Sequence, residues 1–244
     1  MTAPATILYG DFSCPWTYLS YRRLALLRTA GEEFELRAVQ HDPAGPGGPE
    51  PRDTAFEHLR QEIGQVVAQL LPGEELPYEL RGFVPHTKAA VSGFAEAHGA
   101  GVPDVAAPLL FEAFWRNGLD LNDPRCVRTL LTDAIRASDS PSDPLRRWGH
   151  AVDVTGGPMT TLAWRVVRAW RQQWMSLDKE VVPVLLLPDG TLRYGVDAVE
   201  HLGHRLAASG IDPTTEPSWP DARPPAPLDG YGRTQLLHPP LGAA

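Results

Sequence analysis

Hydrophobic and polar positions change their period several times along the chain. The stretch "ATILYGDF" (5–12) is a short apolar run with a β-branched residue and a turn-like Ser13 behind it, the pattern of a buried strand. In "PWTYLSYRRLALLRTAG" the apolar residues Trp16, Leu19, Leu24 and Leu27 fall near helical spacing, and Gly31 closes the segment as a C-cap would. "FELRAVQ" (34–40) alternates apolar with polar, as a half-buried strand does. Strand, helix and strand in this order predict a βαβ unit with a right-handed crossover.

A Pro/Gly loop, "HDPAGPGGPEPRD" (41–53), then breaks the pattern. Helical periodicity follows. "TAFEHLRQEIGQVVAQLL" sets Phe56, Leu59, Ile63, Val66, Val67 and Leu70 on one face. "TKAAVSGFAEAHGAG" and "DVAAPLLFEAFWRNGLDLND" continue it, and "DPRCVRTLLTDAIRAS" offers Asp123 as N-cap with Pro124 at the first helical position. "PSDPLRRWGHAV" reads as a further short helix. In 157–175 an apolar face runs through Leu162, Val166, Trp170 and Trp174, and Trp115 and Trp164 are also expected in the core. "VVPVLLLPDGTLRYG" predicts a hairpin turning at Asp189-Gly190, and "VDAVEHLGHRLAAS" a closing helix. The expected organisation is a discontinuous α/β core, 1–48 with 152–210, an all-helical insertion over 49–151, and a Pro-rich tail over 211–244.

Composition narrows the classes. With 244 residues, 43% of them apolar, the chain has material for a real core, and a formal net charge of −8 argues against nucleic acid or an anionic membrane as partner. Two cysteines, Cys14 and Cys126, exclude a dense disulfide framework. The first residues lack the basic flank and apolar run of a signal peptide, and no window is apolar enough to span a bilayer. A cytoplasmic protein with reduced thiols is expected.

Candidate chemistry gathers at "DFSCPWTYLS" (11–20). A strand-to-helix turn puts Cys14 beside the first free N–H groups of a helix and the positive end of its dipole, which favours a thiolate. Pro15 at the first helical position pre-sets the backbone there. The dipeptide Val182-Pro183 is a second signal, because proline is tolerated at the start of a strand and is the residue that admits a cis bond. Trp16 could wall a pocket beside the sulfur, and His41 with Asp42 ends the second strand at the same sheet edge as Cys14. His86 and Thr87 open a helix, where Thr87 has the alternative role of plain N-cap. Cys126 sits on the stripe of Leu130 and reads as a core residue. His58, His98, His150, His201, His204 and His238 show no metal-ligand spacing, so no metal site is expected.

The stretches "DFSCPWTYLSYRRLALL", "VPHTKAAVSGFAEAHGAG", "LLFEAFWRNGLDLND" and "VVPVLLLPDGTLRYGVDAVEHL" together resemble the DsbA-like branch of the thioredoxin superfamily. That branch includes FrnE-type oxidoreductases, 2-hydroxychromene-2-carboxylate isomerases and kappa-class glutathione transferases. The resemblance covers most of the chain from Thr6 to Leu206. It implies an α/β, thioredoxin-like fold with an inserted all-helical domain, and a cis proline at Pro183 across from Cys14. It further implies a substrate cleft formed by Ser13, Pro15, Trp16, His41, His86, Val182 and Pro183. The sequence departs from both halves of the branch. The oxidoreductases carry a second cysteine where Thr17 stands, and the isomerases and transferases carry serine where Cys14 stands. A Gly common before Val-Pro in the oxidoreductases is replaced by Val181.

Three functions follow from one sulfur. The first is a monothiol oxidoreductase or thiol transferase, with Cys14 as nucleophile, Thr17 beside it and an outside thiol to resolve the mixed disulfide. In the second, a bound low-molecular-weight thiol, glutathione or mycothiol, performs an isomerisation or transfer, and Cys14 only hydrogen-bonds in serine's place. The third is a module that binds a peptide or small ligand without turnover. No covalently bound cofactor is expected. The partner is a small thiol or an oxidised protein or peptide, and a homodimer is left open.

Overall fold

The computed structural model describes residues 5–41, 52–77, 86–138 and 151–217. β1 (Thr6–Gly10) is the apolar run beginning at residue 5, and it lies at the centre of a four-stranded sheet. It pairs in parallel with β2 (Phe34–Ala38), Leu8 opposite Leu36. On its other side β3 (Val184–Leu186) runs antiparallel, Leu8 opposite Leu185, and β4 (Leu192–Tyr194) completes the order β2-β1-β3-β4. The β3–β4 hairpin turns where Asp189-Gly190 predicts it, with Gly190 at φ 85°, a conformation glycine adopts without steric penalty.

Successive residues of β1 face opposite sides of the sheet. Gly10 faces helix α1 (Pro15–Arg28) so closely that a Cβ there would stand 2.2 Å from Thr17 Cγ2, so no larger residue fits. Tyr9 faces the other way, where Arg37 donates to its hydroxyl at 3.0 Å and to Gln173 at 2.9 Å. Gln173 belongs to α6 (Thr161–Ser176). Between β2 and α6 lie α2 (Arg52–Val67), α3 (Lys88–Gly99), α4 (Pro103–Trp115) and α5 (Pro124–Ala137). The last helix, α7 (Val196–Ser209), packs against α1, and α6 packs against α3.

Asp123 caps α5 by accepting from the Arg125 N–H at 2.9 Å, with Pro124 in the first turn. Other sequence expectations change. Of the apolar face predicted for α6, Trp170 and Trp174 are buried together with Ala163, but Leu162 is 53% and Trp164 60% exposed. At 100° per residue, Trp164 lies about 120° around the helix from Trp170, too far to share its face. Val67, predicted on the inner stripe of α2, is likewise half exposed. The short helix expected in "PSDPLRRWGHAV", the loop residue Asp42 and the tail beyond residue 217 fall outside the described residues, except that Ala151 and Val152 are buried. Among the described residues no helix is long and apolar enough to cross a membrane.

Candidate active site

The turn between β1 and α1 is held from three sides. Trp115 of α4 donates its indole N–H to the Phe12 carbonyl at 2.9 Å, and the Phe12 ring packs on Phe94 and Phe111. The Cys14 N–H donates to the Asp11 carbonyl at 3.1 Å, and Cys14 becomes the N-cap of α1 with Pro15 following. Asp11 itself is a buried hub, 2% exposed. Its Oδ1 accepts from the Ser13 N–H and hydroxyl, each at 2.9 Å. Its Oδ2 accepts from the His41 N–H at 2.7 Å and the Thr87 hydroxyl at 2.9 Å. One carboxyl thereby ties the active turn to the end of β2 and the start of α3. Burial is the main influence on it and holds its pKa above the usual range, against the pull of the four donors.

The turn that carries Cys14 and the proline meet. Val182-Pro183 is a cis peptide bond, and the Cys14 thiol donates to the Val182 carbonyl oxygen at 3.6 Å, across 168 positions of sequence. Trp174 fixes the approach by donating to the Val181 carbonyl at 2.9 Å, and the His41 ring stands edge-on to Trp174 and 3.3 Å from the Glu180 carbonyl. His86 sits at the outer rim, exposed, its Nε2 3.0 Å from the Gln40 side-chain amide.

Of the residues expected at the cleft, Ser13, Cys14, His41, Val182 and Pro183 therefore converge. Trp16 does not serve as an open wall: at 6% exposed it belongs to the core. Thr17 is wholly buried, and the Asp11 N–H reaches its hydroxyl at 3.4 Å. Thr87 stands at the N-cap of α3 but makes no side-chain cap, because its hydroxyl is spent on Asp11. Cys126 is a free thiol packed partly against the core, its pKa pushed up to about 12 by burial and by Asp123 and Asp120.

The expected thiolate is not what this geometry favours. Cys14 is only 8% exposed, and burial pushes its pKa from an ordinary value near 9 up to about 12. The Glu62 carboxylate of α2 adds to that effect, as does Asp11 more weakly. The Thr17 hydroxyl and N–H pull the other way but are outweighed by burial. A helix dipole contributes about 0.3–1 kcal/mol at an exposed end, whereas stripping water from an ion costs several kcal/mol. Desolvation wins. Glu62 and Asp11 escaped the sequence reading. Asp11 was visible as an acidic residue inside an apolar run, while nothing in α2 marked Glu62.

A direct check is alkylation. At pH 7 iodoacetamide should modify Cys14 at least about 100-fold more slowly than a free thiol, because the thiolate reacts and is scarce. Glu62→Gln should raise that rate by removing a nearby negative charge. Peptide mass spectrometry over time reads both, and alkylation of the wild type at the free-thiol rate would refute the neutral-thiol assignment.

The sheet order, the Cys14 N-cap and the cis proline define a DsbA-like thioredoxin fold, here with one sulfur at the turn before α1. Solved structures agree on that fold. A 2-hydroxychromene-2-carboxylate isomerase matches at TM-score 0.55 with 18% identity, over 85% of this chain and 96% of its own. A probable DsbA oxidoreductase from Streptomyces coelicolor matches at 0.54 with 16% identity, over 84% and 89%. The cytosolic disulfide reductase DsbM from Pseudomonas aeruginosa, in a structure with glutathione, matches at 0.51 with 14% identity, over 84% and 98%. No protein-family model and no curated relative matches the sequence.

Proposed function

We propose that this chain is a thiol-dependent isomerase or transferase in which a bound low-molecular-weight thiol, glutathione or mycothiol, is the attacking sulfur. Cys14 acts beside it as a neutral hydrogen-bond donor. The observation that carries this reading is the bond from Cys14 Sγ to the Val182 carbonyl at 3.6 Å. A carbonyl oxygen accepts from a protonated thiol and repels a thiolate, so the protein's own sulfur is held in its unreactive form. The likeness to an isomerase and to a reductase whose structure includes glutathione supports a small thiol in this cleft.

In the proposed step the bound thiol gives its proton to solvent water, and its sulfur forms a C–S bond to an electrophilic carbon. The displaced electron pair moves onto the substrate's carbonyl oxygen or leaves with a leaving group. For isomerisation the pair returns, the C–S bond breaks, and on release of the isomerised product the thiol takes a proton back from solvent, so nothing is oxidised or reduced. The S–H of Cys14, turned from Val182, stabilises the attacking sulfur as its charge develops. Ser13 and His41, both half-buried, and the exposed His86 are proposed to line the bound molecule.

A monothiol exchange at Cys14 is the second reading, favoured by its N-cap position facing cis Pro183. Two variants separate them in an assay of glutathione, then mycothiol, addition to a chloronitrobenzene electrophile. Cys14→Ser should keep turnover within about 3-fold, since a hydroxyl donates as a thiol does, while Cys14→Ala should lose roughly 10- to 100-fold. Complete loss in Cys14→Ser, with a mixed-disulfide adduct on the wild-type sulfur, would favour the second reading.

A further inference from the structure

The outward side of α6 carries a basic and aromatic stripe whose arginine side chains have no partner among the described residues. Trp164, Arg168, Arg171 and Met175 recur at steps of four, three and four residues, so they lie on one line, about 16 Å long at 1.5 Å per residue. The helix buries another side, centred about 110° around from this line, through Ala163, Trp170 and Trp174. Trp164 is 60% and Met175 55% exposed, far more than a core-facing helix leaves in water by need. Arg168, Arg171 and the flanking Arg165 are exposed, and none makes an ion pair or hydrogen bond among the described residues. Elsewhere on the surface Arg28, Arg116, Arg193 and Arg205 each hold a carboxylate. Arg125 and Arg136 of α5 are likewise exposed without a carboxylate, but among the described residues α6 is where such arginines fall in line with an exposed tryptophan and methionine, on a chain of net charge −8.

We propose that this stripe docks an acidic amphipathic helix of a partner protein, its carboxylates against the arginines and its apolar side chains against Trp164 and Met175. Tryptophan and arginine are the side chains that contribute most at protein interfaces. The net charge of the whole chain is screened beyond about 8 Å at physiological salt, so the local cations govern the contact. A second copy is a poor occupant. Antiparallel two-fold pairing of α6 would match Trp164 with Met175 but set Arg168 against Arg171 twice, and like charges repel there. Nucleic acid is also a poor occupant, because its binding relies on neutralising many phosphates, and this stripe ends in apolar residues instead of further cations.

The test uses the full chain and a fluorescein-labelled peptide of Glu and Leu, patterned as an amphipathic helix about four turns long. Saturable, salt-sensitive anisotropy is expected. It should weaken at least about 10-fold in the double variant Arg168→Glu, Arg171→Glu and, separately, in Trp164→Ala. All three side chains are exposed, and circular dichroism of each variant verifies that the fold is intact. Four results would overturn the proposal: affinity unmoved by either variant; equal binding of a Lys–Leu peptide of the same length; equal binding of a single-stranded oligonucleotide; or a dimer in sedimentation that Trp164→Ala dissociates.

Discussion

Replacing Asp11 with alanine should both destabilise the fold and lower the proposed activity on the order of 100-fold, although Asp11 is not expected to touch substrate. The substitution strands four donors at once: the Ser13 N–H and hydroxyl, the His41 N–H and the Thr87 hydroxyl. A buried donor left without an acceptor costs about 1–3 kcal/mol, and the losses are not additive, so a drop of at least about 3 kcal/mol is expected. Urea unfolding measures it. The turn that presents Cys14 and the end of β2 would lose their common anchor, and displacement of a site by about an ångström costs on the order of 100-fold in rate. A loss of stability below about 1 kcal/mol, with turnover intact, would show that the donors find other acceptors.

Asp11→Asn supplies the pH signature. Burial raises the Asp11 pKa in the folded chain above its unfolded value of about 4. A group raised on folding contributes stability that is complete below its unfolded pKa and is lost as pH rises through its folded pKa. Asparagine carries no such proton. The stability advantage of the wild type over Asp11→Asn should therefore be greatest near pH 4 and shrink toward pH 7. An advantage that grows with pH would mean the four donors outweigh burial and the carboxyl is held ionised.

The frame of the site was legible because its signals are local. An apolar run, a cysteine followed by proline, an alternating strand and a Val-Pro before a second run each follow from a few neighbouring residues, and their order fixes the sheet. What the sequence did not reveal depends on parts brought together by folding. The charge state of Cys14 turns on desolvation by the packed core and on Glu62 arriving from α2. Helix-start electrostatics, the one term visible locally, points the wrong way. Threonine before a helix is usually a cap, yet the Thr87 hydroxyl donates instead to the Asp11 carboxyl, which folding brings beside it. Trp164 is expected in the core with the other tryptophans, yet its angular position on α6 leaves it 60% exposed. α1 shows the opposite failure. Nearly every residue from Pro15 to Leu27 is buried, so this helix is covered all round and its amphipathic stripe carries little information.

That covering creates the largest stability effect expected of a single side chain, at Glu74. Arg23 of α1 is 1% exposed, and its guanidinium is fully engaged. Nε donates to Glu74 Oε1 at 3.1 Å and Nη2 to Oε2 at 2.5 Å, a bidentate pair. Nη1 reaches the Val199 carbonyl of α7 at 2.6 Å, and Nη2 the Gln69 carbonyl beyond α2 at 2.8 Å. Glu74 also accepts from the Leu71 N–H at 2.7 Å and faces Arg22 at 3.8 Å. The pair thus joins the site helix, the turn after α2 and the closing helix. Removing one partner leaves the other charged and buried, which costs about 3–5 kcal/mol. Glu74→Ala should lower the melting temperature by about 10 °C or more. Replacing the pair together, Arg23→Met with Glu74→Leu, should cost less than the sum of the single changes, because the two closest charges leave together and only Arg22 loses its carboxylate. Calorimetry on the three variants closes the cycle, and simple additivity would show that water reaches the pair and that it does not act as a buried unit.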